Sequence, residues 1–425
     1  MLSIFTRIAV AGPVPYEFNL NVNNNFNLNF KLQPDGLIDH PEKPENPSHG
    51  QPSHGGDDDN DDYDDPTLPK AYKKNPKLFN LHKEMIHIES ISGHEFEMSY
   101  YLINYLRKEG LNIELIPTPD GRNNIYAWYG DSKSTKVLLT THFDTVPPFF
   151  EYNAARDEED RIYGRGANDD KGSIAAQLIA AEELLKAGEI GKNDVSFLFV
   201  VSEEVGGIGM LSADAYLKEQ GVNWSTVIYG EPTENKLAVG HKGIYYFDLG
   251  VTGIASHSGY PELGIDANAV LVDIMYELNH YNWPSDKLLG ETTINIGLFE
   301  GGRAANVVSP AANMTALLRT AVDANTIDNI VKGIVEKYEK STECKFEFKL
   351  MQGSDPTFLD YKLKGFDTFI AKYSTDIPNM ENRGFKRYLY GPGSIHSAHS
   401  DHEYVTSKSL LDSVEDLKKL IKYSL

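Results

Sequence analysis

The sequence predicts an α/β fold: a mostly parallel, mixed sheet flanked by helices, with an α+β unit inserted into it. Three observations predict it. Apolar runs of buried-strand type, Val137-Leu138-Leu139, VSFLFVV and STVIY, each deliver polar residues at their C-terminal ends. Helical stretches alternate with these runs, the pattern of a sheet covered on both faces. Between about 244 and 352 the alternation gives way to a different order of elements, βαββαβ.

Taken along the chain, residues 1–75 read as a low-complexity, disordered lead. Asn-rich sequence passes into Pro, Gly and His, then into DDDNDDYDD, seven Asp between Asp57 and Asp65 with no Lys or Arg among them. Such a run repels itself and buries nothing. Order is expected from about Lys77. LFNLHKEMIHI and HEFEMSYYLINYLRKEG have helical spacing, the second ending at Gly110. The runs LNIELI, NIYAWY and KVLLTTHFD follow as strands, and 172–187 as a helix. Residues 76–243 and 353–425 are the two parts of one catalytic domain, closing with a helix around 407–423. The insert, 244–352, reads as strand 244–253, helix 263–280, strands 292–299 and 313–321, helix 325–339 and strand 344–350.

The strand ends carry the chemistry. In chain order they offer His142-Phe143-Asp144, Asp169 in GRGANDDKG, Glu203-Glu204, Glu231 in GEPT, and His399 in GPGSIHSAHSDHE. Ligands in open α/β sheets collect outside the carboxyl ends of the strands. Two imidazoles and three carboxylates suit a pair of zinc ions sharing one carboxylate, with an adjacent acid as general base. Asp144 shares a strand face with His142 and can bond the imidazole nitrogen turned away from metal. Each motif alone has a plain alternative. HxD can be a turn after a strand, GRGANDDKG a surface loop, and Glu231 a turn residue. Either His396 or His402 can replace His399. The GPGS loop, with Gly393, offers backbone N–H groups to a substrate carboxylate or is a simple turn. Five motifs in order, mostly at strand ends, favour the metal reading.

Composition excludes other classes. The 425 residues carry a formal net charge of −22, which argues against nucleic acid and against an anionic membrane surface. No apolar run nears the roughly 20 residues that cross a bilayer. Cys344 is the sole cysteine, so no internal disulfide forms.

The motifs HFDTVP, GRGANDDKG, EEVGG, GEPT, HSGYPELGIDANAV and GPGS…AHSDHE resemble the M20 family of zinc hydrolases, from about Leu78 to Leu425. LAVGHKGI, GGRAANVV, DIPN and KRYLYGPGSI place it nearest the fungal proteins named probable carboxypeptidases, many of them secreted. The resemblance implies a sheet of the zinc-exopeptidase type with a lid domain that also dimerises. It implies that His142 and Glu231 hold one Zn2+, Glu204 and His399 a second, and Asp169 bridges, with cobalt able to substitute. Glu203 matches the general base and Asp144 the residue that orients His142. His257 matches a histidine that stabilises the reacting carbonyl oxygen, and Asn306 and Arg319 match lid positions that hold substrate. A cis peptide is implied between Asp169 and Asp170. His402 departs from many members, outside the ligand positions.

The expected activity is zinc-dependent carboxypeptidase action on short peptides. N-acyl amino-acid deacylation, as in acetylornithine deacetylase, is the alternative, and a catalytically dead relative is the third class. The resemblance also points to secretion, although MLSIFTRIAVAG makes a short apolar stretch interrupted by Arg7. Cytoplasmic residence is the alternative. Asn223-Trp-Ser and Asn313-Met-Thr are glycosylation sequons that matter only on the secretory route.

Overall fold

The structure, a computed structural model, describes residues 17–22, 26–31 and 65–425. It falls into two units, 1–63 and 64–425. In the first, strands Glu17–Val22 and Phe26–Lys31 pair antiparallel, Glu17 opposite Lys31. Both strands lie within the stretch read from the sequence as the low-complexity lead. The alternation of Asn with apolar residues in EFNLNV and FNLNFK is a period-two signal that the Asn-rich composition masks. The acidic run up to Asp64 lies outside the described residues.

In the second unit, order begins about ten residues earlier than the sequence suggests. Pro69 is buried, and the N–H groups of Lys70 and Ala71 donate to the Asp160 carboxylate at 2.8 and 2.9 Å. Helices α1 (Pro76–Ile86) and α2 (Phe96–Lys108) follow. Pro76 starts α1 where its missing N–H costs nothing, and the Asn75 side chain accepts from Leu78 N.

The central sheet has six strands. They are β1 (Asn112–Pro117), β2 (Asn123–Trp128), β3 (Val137–His142), β4 (Val195–Val200), β5 (Thr226–Tyr229) and, much later, Lys386–Leu389. The spatial order is Lys386–Leu389, β5, β3, β4, β2, β1. The first four run parallel; β2 and β1 are antiparallel additions at one edge. Every residue of β3 and β4 is buried. Val137 and Leu139 enter a core with α1, α2, α3 (Lys171–Lys186) and the C-terminal helix Ser407–Tyr423. Leu138, one residue out of phase, enters a second core on the other face with Met210 and Leu217 of α4 (Ile208–Glu219). Burial on both faces is why these strands read as continuous apolar runs. Nearly all of α3 is buried, which its small residues permit.

Residues 243–354 form an antiparallel sheet with its own core. Strands β6 (Gly243–Thr252), β7 (Thr293–Gly301), β8 (Ala311–Thr320) and β9 (Lys345–Ser354) stand in the order β7, β8, β6, β9. Helices α5 (Ala267–His280) and α6 (Ala324–Ser341) pack on it. Helix α5 starts four residues later than the pattern suggests. The Asp266 carboxylate accepts from Asn268 N and Ala269 N and caps it there, while Pro261–Leu263 make a separate turn of 3-10 helix. Leu318, Ala316 and Met314 turn into this core, so Arg319 lies on the opposite face of β8.

Candidate functional site

Four parallel strand ends converge. His142 is the last residue of β3. Glu203 and Glu204 follow β4 through Ser202, whose φ of 60° turns the chain sharply. Gly230-Glu231 follow β5, and the segment after Lys386–Leu389 leads to His399. Asp169 precedes α3, and its bond to Asp170 is a cis peptide, as the resemblance implies.

The side chains meet around Asp169. Its Oδ1 lies 3.1 Å from His142 Nε2 and its Oδ2 lies 3.3 Å from His399 Nε2. His399 Nε2 also lies 3.0 Å from Glu204 Oε2. One ligand atom from each of His142, Glu203 and Glu231 falls within 4.8 Å of the others, and the same holds for His142, Asp169 and Glu204. One carboxylate with an oxygen toward each histidine is the arrangement of a shared ligand. His399 adopts φ 61° to reach it; His396 and His402 are exposed as His399 is, but it is His399 whose Nε2 stands beside Asp169 and Glu204.

Support for this cluster is built from buried groups. His142 Nδ1 lies 3.0 Å from Asp144 O and 3.5 Å from Asp144 Oδ1, which leaves Nε2 for a metal. The Asp144 carboxylate also accepts from Ser92 Oγ at 2.7 Å and from the N–H groups of Glu203 and Glu204 at 3.0 and 3.3 Å. It therefore ties the His142 strand to the Glu203-Glu204 loop.

Glu403 does the same for Asp169. Its Oε1 accepts from the N–H groups of Asn168 and Asp169 at 2.9 and 3.0 Å, and its Oε2 from Arg165 Nη1 at 2.6 Å, all buried. Reading motif by motif missed Glu403, Arg165 and Ser92. A buried ion pair spans more than two hundred residues of sequence, and the signal was only an Arg inside GRG and an acid after the histidine run.

The electrostatics call for cations. Burial, with help from neighbouring acids, holds the Glu203 and Glu231 carboxyls well above the usual range and pushes Asp170 up to about 8. Asp169 goes the other way. Burial opposes its charge, but hydrogen bonds from His142 and His399 outweigh that and hold it below the usual range. Hydrogen bonds to Asp169 and Glu204 push His399 up to about 10. Asp170 Oδ1 is buried without a partner. So many buried acids beside only two histidines fit a site made for metal ions.

The cluster opens into a cavity of about 240 Å³ lined by Glu203, Glu204, His399, Asp376, Ile244, Arg319 and Ser354 among others. Ile244 pairs with Arg319 and with Ser354, so one end of the inserted sheet forms its far wall. A larger groove of about 690 Å³, between residues 70–75, 158–160 and 407–415, holds none of the metal-ligating groups.

Three expected substrate contacts are not brought here. His257 is exposed, outside the cavity, and its Nδ1 accepts from Gly259 N at 3.0 Å. Asn306 is exposed beside it, its carbonyl accepting from Ser258 N. Both sit in loops that the local pairing of His257 with Val307 holds together, away from the carboxylates. Gly393 also lies outside the cavity lining. The N–H groups of Gly391, Gly393 and Ser394 already donate to Thr233 Oγ1, Ser409 Oγ and Asn168 Oδ1 at 2.8–2.9 Å. The GPGS loop thus braces Asn168, next to Asp169, and its backbone N–H groups are engaged within the chain.

A family model described as "Peptidase family M20/M25/M40" matches residues 138–423. A peptidase M20 domain-containing protein of Schizosaccharomyces pombe is 43% identical over 351 residues, 82% of this chain and 85% of that protein. A probable carboxypeptidase of Aspergillus terreus is 38% identical, covering 81% of this chain and 86% of its own length. Among solved structures, a Staphylococcus aureus tripeptidase superposes with a TM-score of 0.71 at 22% identity, covering 82% of this chain and 98% of that one. The Bacillus subtilis YXEP protein, titled a dinuclear metal binding peptidase, gives 0.62 at 16% identity, over 82% and 97% of the two chains. At such identities the likeness is one of fold.

Proposed function

The chain belongs to peptidase family M20, a family of hydrolases acting on peptide bonds, and on that premise we propose that it is a zinc-dependent carboxypeptidase of short peptides. The observation that carries this reading is Asp169, one oxygen toward His142 and the other toward His399, with Glu203 beside them. His142 and Glu231 would hold one Zn2+, Glu204 and His399 the other, and Asp169 both. Metal ions held there would supply Lewis acidity to the water and the scissile carbonyl and would let the crowded carboxylates ionise together.

The chain's own residues do the rest. The Glu203 carboxylate lines the cavity and accepts the proton of the attacking water, then passes it to the leaving amine. Asp144 fixes the Glu203 and Glu204 backbone and the His142 ring, so base and ligands keep their spacing. Arg319, half-buried with no ion pair among the described residues, would take the free C-terminal carboxylate. The name carried by the Aspergillus relative favours the same reading.

A panel of dipeptides, C-terminally amidated dipeptides and N-acyl amino acids on zinc-loaded protein tests it. Dipeptides should be cleaved and their amides spared. Preference for N-acyl amino acids would replace the reading with the deacylase one.

Two further assignments belong with this proposal. The exposed side chains of Leu298 and Phe299 on edge strand β7, beside Val272 and Tyr276 on α5, suit a homodimer through the inserted unit. Secretion is proposed on the resemblance, and both sequon asparagines, Asn223 and Asn313, are exposed. An unglycosylated, intracellular product in the native host would overturn it.

A further inference from the structure

The cavity holds a carboxylate that the proposed mechanism leaves idle. Asp376 is only 8% exposed, lines the cavity with Glu203 and Arg319, and has its Oδ2 buried with no hydrogen-bond partner. No lysine or arginine pairs with it among the described residues; it also lines a small pocket with His142 and Glu231, yet belongs to neither group of candidate metal ligands. Leaving a carboxylate oxygen buried and unpartnered is costly, and such groups otherwise find a cation or donor.

The wall that presents it is built firmly. Ile377, the next residue, is fully buried in the second core, and Asn379 N donates to Asp376 O at 2.8 Å. The Asn379 side chain packs so closely on Gly207 that a Cβ there would lie 2.1 Å from Asn379 Nδ2. Gly207, with φ 69°, ends the loop that carries Glu203. Asp376 is thus held against the base loop, while Arg319 approaches Glu203 from the inserted sheet. Glu203 feels the charge of both.

We propose that Asp376 binds the free α-ammonium group of the substrate. The cavity then reads a zwitterion: carboxylate on Arg319, ammonium on Asp376, and the amide between them at Glu203. Resting on the peptidase reading, this narrows the substrate class to dipeptides and other very short peptides with an unblocked N-terminus. It disfavours N-acyl amino acids, which bring no cation. A buried ammonium–carboxylate contact is a charge-assisted hydrogen bond and needs no change in the rest of the site.

The test uses zinc-loaded full-length protein and one peptide pair, Ala-Leu and N-acetyl-Ala-Leu, sharing the scissile amide. The wild type should favour the free dipeptide in kcat/KM by about 10- to 100-fold, the range of a charged hydrogen bond. Asp376→Asn should lower that ratio at least tenfold, mainly through KM, and Asp376→Glu should restore part of it. Equal turnover of the two peptides by the wild type overturns the assignment, and this holds whether or not a variant folds. An equal loss on both peptides in Asp376→Asn also overturns it and makes Asp376 a wall residue. If the wild type cleaves neither peptide, the peptidase reading itself falls; if it cleaves only the acetylated one, the ammonium site alone falls.

Discussion

Glu203 and Glu403 are both acids within the same cluster, and their substitutions should part company. Glu203→Gln keeps shape and hydrogen bonding but cannot accept a proton at neutral pH. It should retain metal while turnover drops by at least about a hundredfold, the usual worth of a positioned base. Elemental analysis beside a peptidase assay reads both, and a near-normal rate would remove the base assignment. Glu403→Gln leaves the buried Arg165 guanidinium without its counter-charge and loosens the N–H groups of Asn168 and Asp169. A loss of about 3–5 kcal/mol in urea unfolding is expected, together with weaker metal retention. Intact stability would mean that water replaces the carboxylate. His142→Ala and His399→Ala should lose metal outright. The ligands were legible because metal chemistry limits residue types and strand ends limit positions. The acid that braces them was not, because its partner lies far away in sequence.

At the scale of elements, the edge strand β7 is the exposed liability of the inserted unit. An unpaired edge carrying Leu298 and Phe299 invites pairing with a second copy. The double substitution Leu298→Lys, Phe299→Lys should turn a dimer into a monomer in sedimentation, with the metal cluster untouched. A wild type that sediments as a monomer would end the dimer proposal. The core strands respond differently. Leu139 is fully buried in β3, three residues before His142, and Leu139→Ala should cost about 2–5 kcal/mol through the cavity it leaves. Element types were readable because β3 and β4 are apolar on both faces and α5 and α6 repeat at helical spacing. Start points were less so, since Asp266 sets the first turn of α5 by a cap that periodicity does not register.

For the whole molecule, acid is the predicted weakness. His82 and His241 are fully buried, and burial lowers both to about 4 from the ordinary histidine value of 6.5. Each has one ring nitrogen on a backbone carbonyl, Ala167 O and Lys242 O, and the other without a partner. Because the folded pKa lies below the unfolded one, the unfolded chain binds more protons between pH 6.5 and 4. Their neutral forms therefore cost nothing above that window, and stability falls as pH drops through it. The two histidines together should remove several kcal/mol, roughly 3 each, by pH 4. Chemical denaturation across this range should show the slope in metal-free protein, and His82→Gln with His241→Gln should flatten it. A slope unchanged by the pair would assign the acid sensitivity to other groups.

The sequence by itself determined the class of fold, the order of elements in the inserted unit and which acids and histidines stand at the strand ends. Each depends on local signals, namely apolar runs, helical spacing and residue types with particular chemistry. Tertiary structure alone decided which groups stand together. It brought Arg319 to the cavity and left His257 and Asn306 outside the cavity of their own chain, although all three sit in the inserted unit. It closed the GPGS loop on Asn168 instead of offering it to substrate, and it set Asp376 unpaired against the base loop. Contacts between residues far apart in the chain follow from how sheets stack and loops close, and no local pattern encodes them.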